Sequence, residues 1–250
     1  MRNSKFLLAA VFFCLFSTAA GAQLQRNDSE RQLFESINRE RTEQGLSPLQ
    51  WDNNLFKAAR KHALLMLNLN MLEHQLPNEL KLEDRLAEAG ARFAAIAENI
   101  AIGPNPEIIH NGWMHSPGHR KNMLDPRLTS IGIAAVRGPG GLYAVQDFSQ
   151  FVPELSVEDQ EQRVISLLTA KGFRLADITT GARKACVSDA GLSGTSAKSM
   201  VRFEAFDLGK FPEEIEKRIR NGPVGKVAVG ACPANAASGF SRYRIVILFF

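Results

Sequence analysis

All five histidines of this 250-residue chain, His62, His74, His110, His115 and His119, fall between positions 62 and 119. The same stretch holds Ala97-Glu98-Asn99-Ile100 and Trp113-Met114-His115-Ser116-Pro117-Gly118-His119-Arg120. Imidazole is the side chain that most readily serves as a neutral metal ligand or as an acid/base near neutral pH, so this clustering beside a carboxylate marks a candidate site. His115 and His119 are four apart, yet Pro117 and Gly118 intervene and the Glu of His-Glu-x-x-His is absent, so they are not the helical pair of a zinc protease. No Gly-x-Ser-x-Gly elbow occurs, and Ser116 beside Pro117 lacks an evident oxyanion arrangement, which leaves a Ser116/His119/Glu98 hydrolase with little support. His62 shares an apolar helix face with Leu55, Ala59 and Met66 and reads as a hydrogen-bonded core residue. His110 is expected on the exposed side of its helix. Asn99 is expected to brace neighbouring backbone, because a short amide readily bonds nearby peptide groups.

The elements that position these residues follow from periodicity and punctuation. Asp28-Ser29 offers a cap for a helix over about 29–44 that stops at Gly45. Asp52 is placed to cap a second helix over 53–70, and His74 falls in a loop or helix end beyond it. A short helix near 83–89 stops at Gly90, and Ile96–Ile102, containing Glu98, reads as a strand. Pro106 suits the first turn of a helix carrying Ile109 and Trp113, and His119 is expected after a tight turn at Ser116-Pro117-Gly118. Ile131–Val136 and Leu142–Phe151 around Gly138-Pro139-Gly140-Gly141 predict an antiparallel hairpin. Trp51 and Trp113 read as core anchors. From Pro153 the pattern changes to a helix over about 156–171, a strand 200–206, a helix 211–220 and strands 226–231 and 243–250, the order of a small α+β unit. The apolar run Ile245–Phe250 predicts a buried last strand, since an exposed one would invite aggregation.

Residues 1–22 combine a basic start, an apolar run from Phe6 to Phe16 and a small-residue exit at Ala20-Gly21-Ala22, the pattern of a secretory signal peptide. The run is shorter than the ~20 apolar residues that span a bilayer, so no transmembrane anchor is expected. The bulky Phe13 before Cys14 argues against lipid attachment there. Cleavage would remove Arg2 and Lys5 from 30 basic side chains and leave a surplus of two over the 26 acidic ones. So small an excess gives no footprint for nucleic acid. It would also remove Cys14, leaving Cys186 and Cys232, which an oxidising compartment is expected to pair. The expected organisation is a signal peptide (1–22), an N-terminal domain (23–152) and a small α+β domain (153–250).

Several segments together, Ile37-Asn38-Arg39-Glu40-Arg41, Gly45-Leu46-Ser47-Pro48-Leu49, Trp51-Asp52, Ala59-Arg60-Lys61-His62-Ala63, Glu73-His74, Ala97-Glu98-Asn99-Ile100-Ala101, Gly112-Trp113-Met114, Ser116 to Leu124 and Ile131-Gly132-Ile133, make about residues 30–151 resemble a bacterial CAP domain. These are secreted proteins related to cysteine-rich secretory proteins, antigen 5 and plant pathogenesis-related 1. The resemblance implies an α/β fold, an α-β-α sandwich with a surface cleft of two histidines and one or two glutamates. It matches His74 and His119 to the cleft histidines that can hold zinc or another divalent cation, and Glu98 to the acidic residue of the Glu-Asn motif. The second cleft glutamate of eukaryotic members has no counterpart; His115 is the nearest polar residue to its place, and Asn99 borders the cleft. Two imidazoles alone imply a weakly held cation. The resulting expectation is a secreted or periplasmic, non-enzymatic binding module for an extracellular protein, peptide, lipid or envelope component. A metal-assisted peptide or ester hydrolase, with Glu98 as base, is the competing reading. A third places the function in residues 155–250.

Overall fold

A computed structural model describes residues 26–176, 179–188, 196–222, 224–234 and 239–250; the expected signal segment lies outside the described residues. The N-terminal order is α1 (Asp28–Glu43), β1 (Gln50–Trp51), α2 (Asn53–Leu69), α3 (Leu82–Glu88), β2 (Phe93–Gly103), α4 (Pro106–His115), α5 (Pro117–Met123), β3 (Ser130–Gly138) and β4 (Gly141–Phe151). The strands form one sheet in the order β1-β3-β4-β2, antiparallel except for β1 with β3.

The cap of α1 differs from the expectation. Asn27, not Asp28 or Ser29, accepts from the Glu30 backbone N–H, and the Glu30 carboxylate returns the bond to the Asn27 N–H at 2.7 Å. This reciprocal arrangement satisfies two orphan donors at once, which a cap one residue later would forgo. Buried Glu30 also accepts from the Ala135 N–H and so ties α1 to β3. Asp52 caps α2 as expected, accepting from the N–H groups of Asn54 and Leu55. Alternation along β3 and β4 separates two cores: Ile131, Ile133, Leu142, Ala144 and Phe148 pack with Leu33, Ile37, Ile109 and Trp113 of α1 and α4, whereas Ala134, Tyr143 and Val145 pack with Phe56, Ala59, Ala63 and Met66 of α2. The result is the α-β-α sandwich. At Gly132 an added Cβ would stand 2.1 Å from the Phe56 backbone nitrogen, so only glycine lets α2 lie this close to β3.

The remainder contains α6 (Val157–Ala170), β5 (Arg174–Leu175), α7 (Thr179–Val187), β6 (Ser199–Ala205), α8 (Glu213–Asn221), β7 (Lys226–Cys232) and β8 (Tyr243–Phe249), with sheet order β5-β7-β8-β6. The last strand is indeed buried: Ile245 and Ile247 meet the α6 and α8 side, and Val246 and Leu248 meet Ala182 and Cys186 of α7. Cys186 and Cys232 form the expected disulfide, which joins α7 to β7. Helix α7 and the two-residue strands β1 and β5 were not foreseen. The two halves meet where the Ser241 N–H donates to the Phe93 carbonyl at 2.8 Å and Phe240 packs edge-on against Phe93. Among the described residues no helix is long and apolar enough to cross a membrane.

Candidate functional site

Glu98 sits on β2, on the face that α2 covers, and its side chain is only 3% exposed. Both of its oxygens are engaged. His74, in the loop after α2, donates from Nδ1 to Oε1 at 2.8 Å, and Arg85 of α3 donates from Nη2 to Oε2 at 2.7 Å. Burial alone would raise this carboxyl, but the His74 hydrogen bond and the Arg85 guanidinium outweigh it and hold Glu98 below the usual carboxylate range. In return, the bond to Glu98 lifts the His74 imidazole above its ordinary value. His74 itself is 58% exposed, so a surface ring is anchored by a buried carboxylate.

Beneath this contact lies a network that sequence reasoning did not identify. Buried His62 directs Nδ1 to both Glu79 oxygens at 2.9 and 3.0 Å, and its Nε2 stands 3.8 Å from Glu98. The core reading of His62 therefore holds, with charged neighbours. Asp147 is the partner of Glu98 across the β2–β4 register and is fully buried. Burial first, then the adjacent Glu98, push its carboxyl well above the usual range, so the proton of this acid pair resides on Asp147. Neither Asp147 oxygen receives a hydrogen bond, in keeping with a neutral acid. The visible signal was Gln146-Asp147 directly after the apolar run Leu142–Val145 of β4; Glu79 and Arg85 gave none.

The opposite wall is α5. Pro117 occupies its first turn, so His119 lies in a helix and not after a tight turn; proline's fixed φ starts helices as readily as it ends them. Asn99 is fully buried and donates to the His119 carbonyl at 3.2 Å and to Gln146 at 3.1 Å. Asn122 donates to the Glu98 carbonyl at 3.2 Å and to Asn99 Oδ1 at 2.9 Å. These amides dock α5 on β2 at the open edge of the sheet and set His119 over the same strand that carries Glu98. His119 is half-buried, and burial first, then the positive charge of His74, hold its imidazole below the ordinary value.

His115 is exposed and turns back on α4, with Nδ1 2.7 Å from the Asn111 carbonyl; it makes no hydrogen bond to His74, Glu98 or His119. His110, expected to be exposed, is buried with Nε2 3.4 Å from Glu40, because α1 covers the flank of α4 that the sheet does not.

A family model described as the cysteine-rich secretory protein family, CAP, matches residues 34–148. The N-terminal domain is a CAP domain. The Bacillus subtilis (strain 168) protein described as "Uncharacterized protein YkwD" is 37% identical over 131 residues, 52% of this chain and 51% of that protein. A second protein of that strain, described as "Uncharacterized membrane protein YlbC", is 33% identical over 111 residues, 44% of this chain and 32% of that one. The chain thus spans about half the length of the first relative and about a third of the second. Among solved structures, an extracellular protein containing a SCP domain from Bacillus anthracis str. Ames is 30% identical, with a TM-score of 0.46 over 49% of this chain and 40% of that one.

The donors around His74 and His119 can be set against what a metal requires. Among the described residues no group of three or more His, Cys, Asp or Glu side chains stands in metal-holding geometry. A closed structural zinc asks for about four protein ligands and a catalytic one for about three. Two imidazoles, His74 and His119, make up neither set.

Proposed function

We propose that the CAP domain is a non-enzymatic binding module of an exported protein, whose cleft presents His74 and His119 to a divalent cation and to an extracellular or envelope ligand. The observation that carries this reading is the full commitment of Glu98: each oxygen is bonded inside the protein and the side chain is 3% exposed. A carboxylate so placed fixes the orientation of the exposed His74 ring through Nδ1 and leaves Nε2 as the nitrogen for a ligand, as carboxylates do behind metal-binding histidines. It has no exposed oxygen with which to take a proton from a cleft water, which counts against the metal-assisted hydrolase. When bound, a cation would supply Lewis acidity and positive charge for an anionic or carbonyl group. Export to the periplasm or the exterior is supported by the disulfide, which persists in oxidising compartments.

The test is calorimetric titration of zinc into metal-free protein and its His74→Ala, His119→Ala and Glu98→Gln variants, with folding confirmed. One-site binding lost in both histidine variants and weakened about 10-fold or more in Glu98→Gln is expected. Binding unchanged by the histidine substitutions would refute the cation site, and zinc-dependent peptide or ester turnover abolished by Glu98→Gln would refute the non-enzymatic reading.

A further inference from the structure

A cavity of about 300 Å³ opens in the C-terminal domain and is lined by none of His74, Glu98 and His119. It lies where β6 and β7 begin on either side of the end of β8. The ladder pairs Ser199 and Val227 with Phe249, and Lys198 and Lys226 bond through their backbones to Phe249 and Phe250. The floor is apolar: Phe173 and Ile219 are buried, and Phe249 meets Phe173 edge-on at 5.9 Å. The rim is cationic, with Lys198, Arg218 and Lys226 all exposed, and no aspartate or glutamate among the lining residues. Basic residues near the C-terminal end of a helix offset its dipole, which accounts for Arg218 on α8. That explanation does not reach Lys198 and Lys226, which stand at the starts of strands, and among the described residues neither makes an ion pair.

We propose that this cavity binds an anionic amphiphile, a carboxylate on an aliphatic chain of medium length, with the head among Lys198, Arg218 and Lys226 and the chain over Phe173 and Ile219. Like charges gathered over an apolar floor select a ligand with one charged end. A volume at the lower end of the small-ligand range excludes a full membrane lipid.

The experiment titrates octanoate, octanol and inorganic phosphate into the protein by calorimetry. Saturable octanoate binding, about 10-fold tighter than either of the others and weakened by salt, is expected. The Lys198→Gln/Lys226→Gln double variant should lose about 10-fold in octanoate affinity. Val224→Asp, at a lining position 63% exposed and so outside the core, should abolish binding while leaving the thermal midpoint unchanged. Equal binding of octanol would overturn the role of the cations. Equal binding of phosphate would overturn the role of the apolar floor. Absence of octanoate binding, or octanoate binding untouched by both variants, would overturn the site itself.

Discussion

Arg85→Met leaves Glu98 buried without its guanidinium. Arg85 and Glu98 are each 3% exposed at the side chain and 2.7 Å apart, so solvent screens the pair little. The directions of titration agree from both ends: the surrounding carboxylates, Glu98 first, overcome burial to hold Arg85 above its ordinary value, and Glu98 is held below its own. Removing one partner of such a pair costs about 3–5 kcal/mol, because the other charge stays behind. Nε and Nη1 of Arg85 have no hydrogen-bond partner, which places the expected loss at the lower end, about 3 kcal/mol. With a urea slope of about 2 kcal/mol per molar, the midpoint should fall by roughly 1.5 M. Both tryptophans of the chain, Trp51 and Trp113, belong to the CAP domain, so urea unfolding followed by their fluorescence reports that domain alone. Adding Glu98→Gln to Arg85→Met should recover 1 kcal/mol or more, in the range of couplings between contacting residues. A midpoint shift below about 0.3 M for Arg85→Met, or no recovery in the double variant, would show that the buried network does not support the fold as described.

Three further outcomes are expected. Asp147 has a folded-state pKa above its unfolded one, so its contribution is favourable at low pH and is lost as pH rises above about 4; Asp147→Asn should therefore raise CAP-domain stability by ~1 kcal/mol or more at pH 7 and by nothing at pH 3, and equal effects at both would disprove the assignment. Gly132→Ala should cost about 3 kcal/mol by driving α2 off β3, read as a lower thermal midpoint, since the added carbon meets backbone and not a side chain that can turn away. Reducing Cys186–Cys232, which closes a loop of 46 residues, should take about 4 kcal/mol from the C-terminal domain while the tryptophan signal of the CAP domain is unmoved; calorimetry with and without reductant decides this.

Much of the framework was legible because its cues are local. Asp52, Gly90 and Pro106 mark element ends, and Leu55, Ala59, His62 and Met66 repeat at helical spacing, all within one or two turns of the residues they govern. His74 and Glu98 could be named as a pair, and the structure bonds them, but the partners that set their charge were not. Arg85 and Asp147 reach Glu98 through folding, as Glu79 reaches His62 and Arg85, and no spacing rule links a residue on α3 or on β4 to one on β2. His110 was misplaced for the same reason: the helical period shows that it leaves the face of Ile109 and Trp113, but not that α1 lies on the other side. His119 was misread because Pro117 signals both an end and a beginning. Helix α7 escaped notice because Thr179-Thr180-Gly181 makes a poor helical opening, and what holds it is Gly230, where an added Cβ would stand 2.2 Å from the Ala182 backbone.

The strand orders give the two halves different schedules of assembly. Every strand of the CAP sheet is present once residue 151 has been made, so that domain can close while the rest of the chain is still emerging. The second sheet cannot, because β8 lies between β7 and β6 and is, among the described residues, the only strand that β6 pairs with. Until residues 243–249 arrive, β6 has no neighbour, and the surfaces of Phe203, Val229 and Ala182 that β8 covers remain open to water. A chain shortened before Tyr243 would thus carry a finished first domain and an unassembled second one, which would make it a substrate for quality-control proteases that attack only the back half.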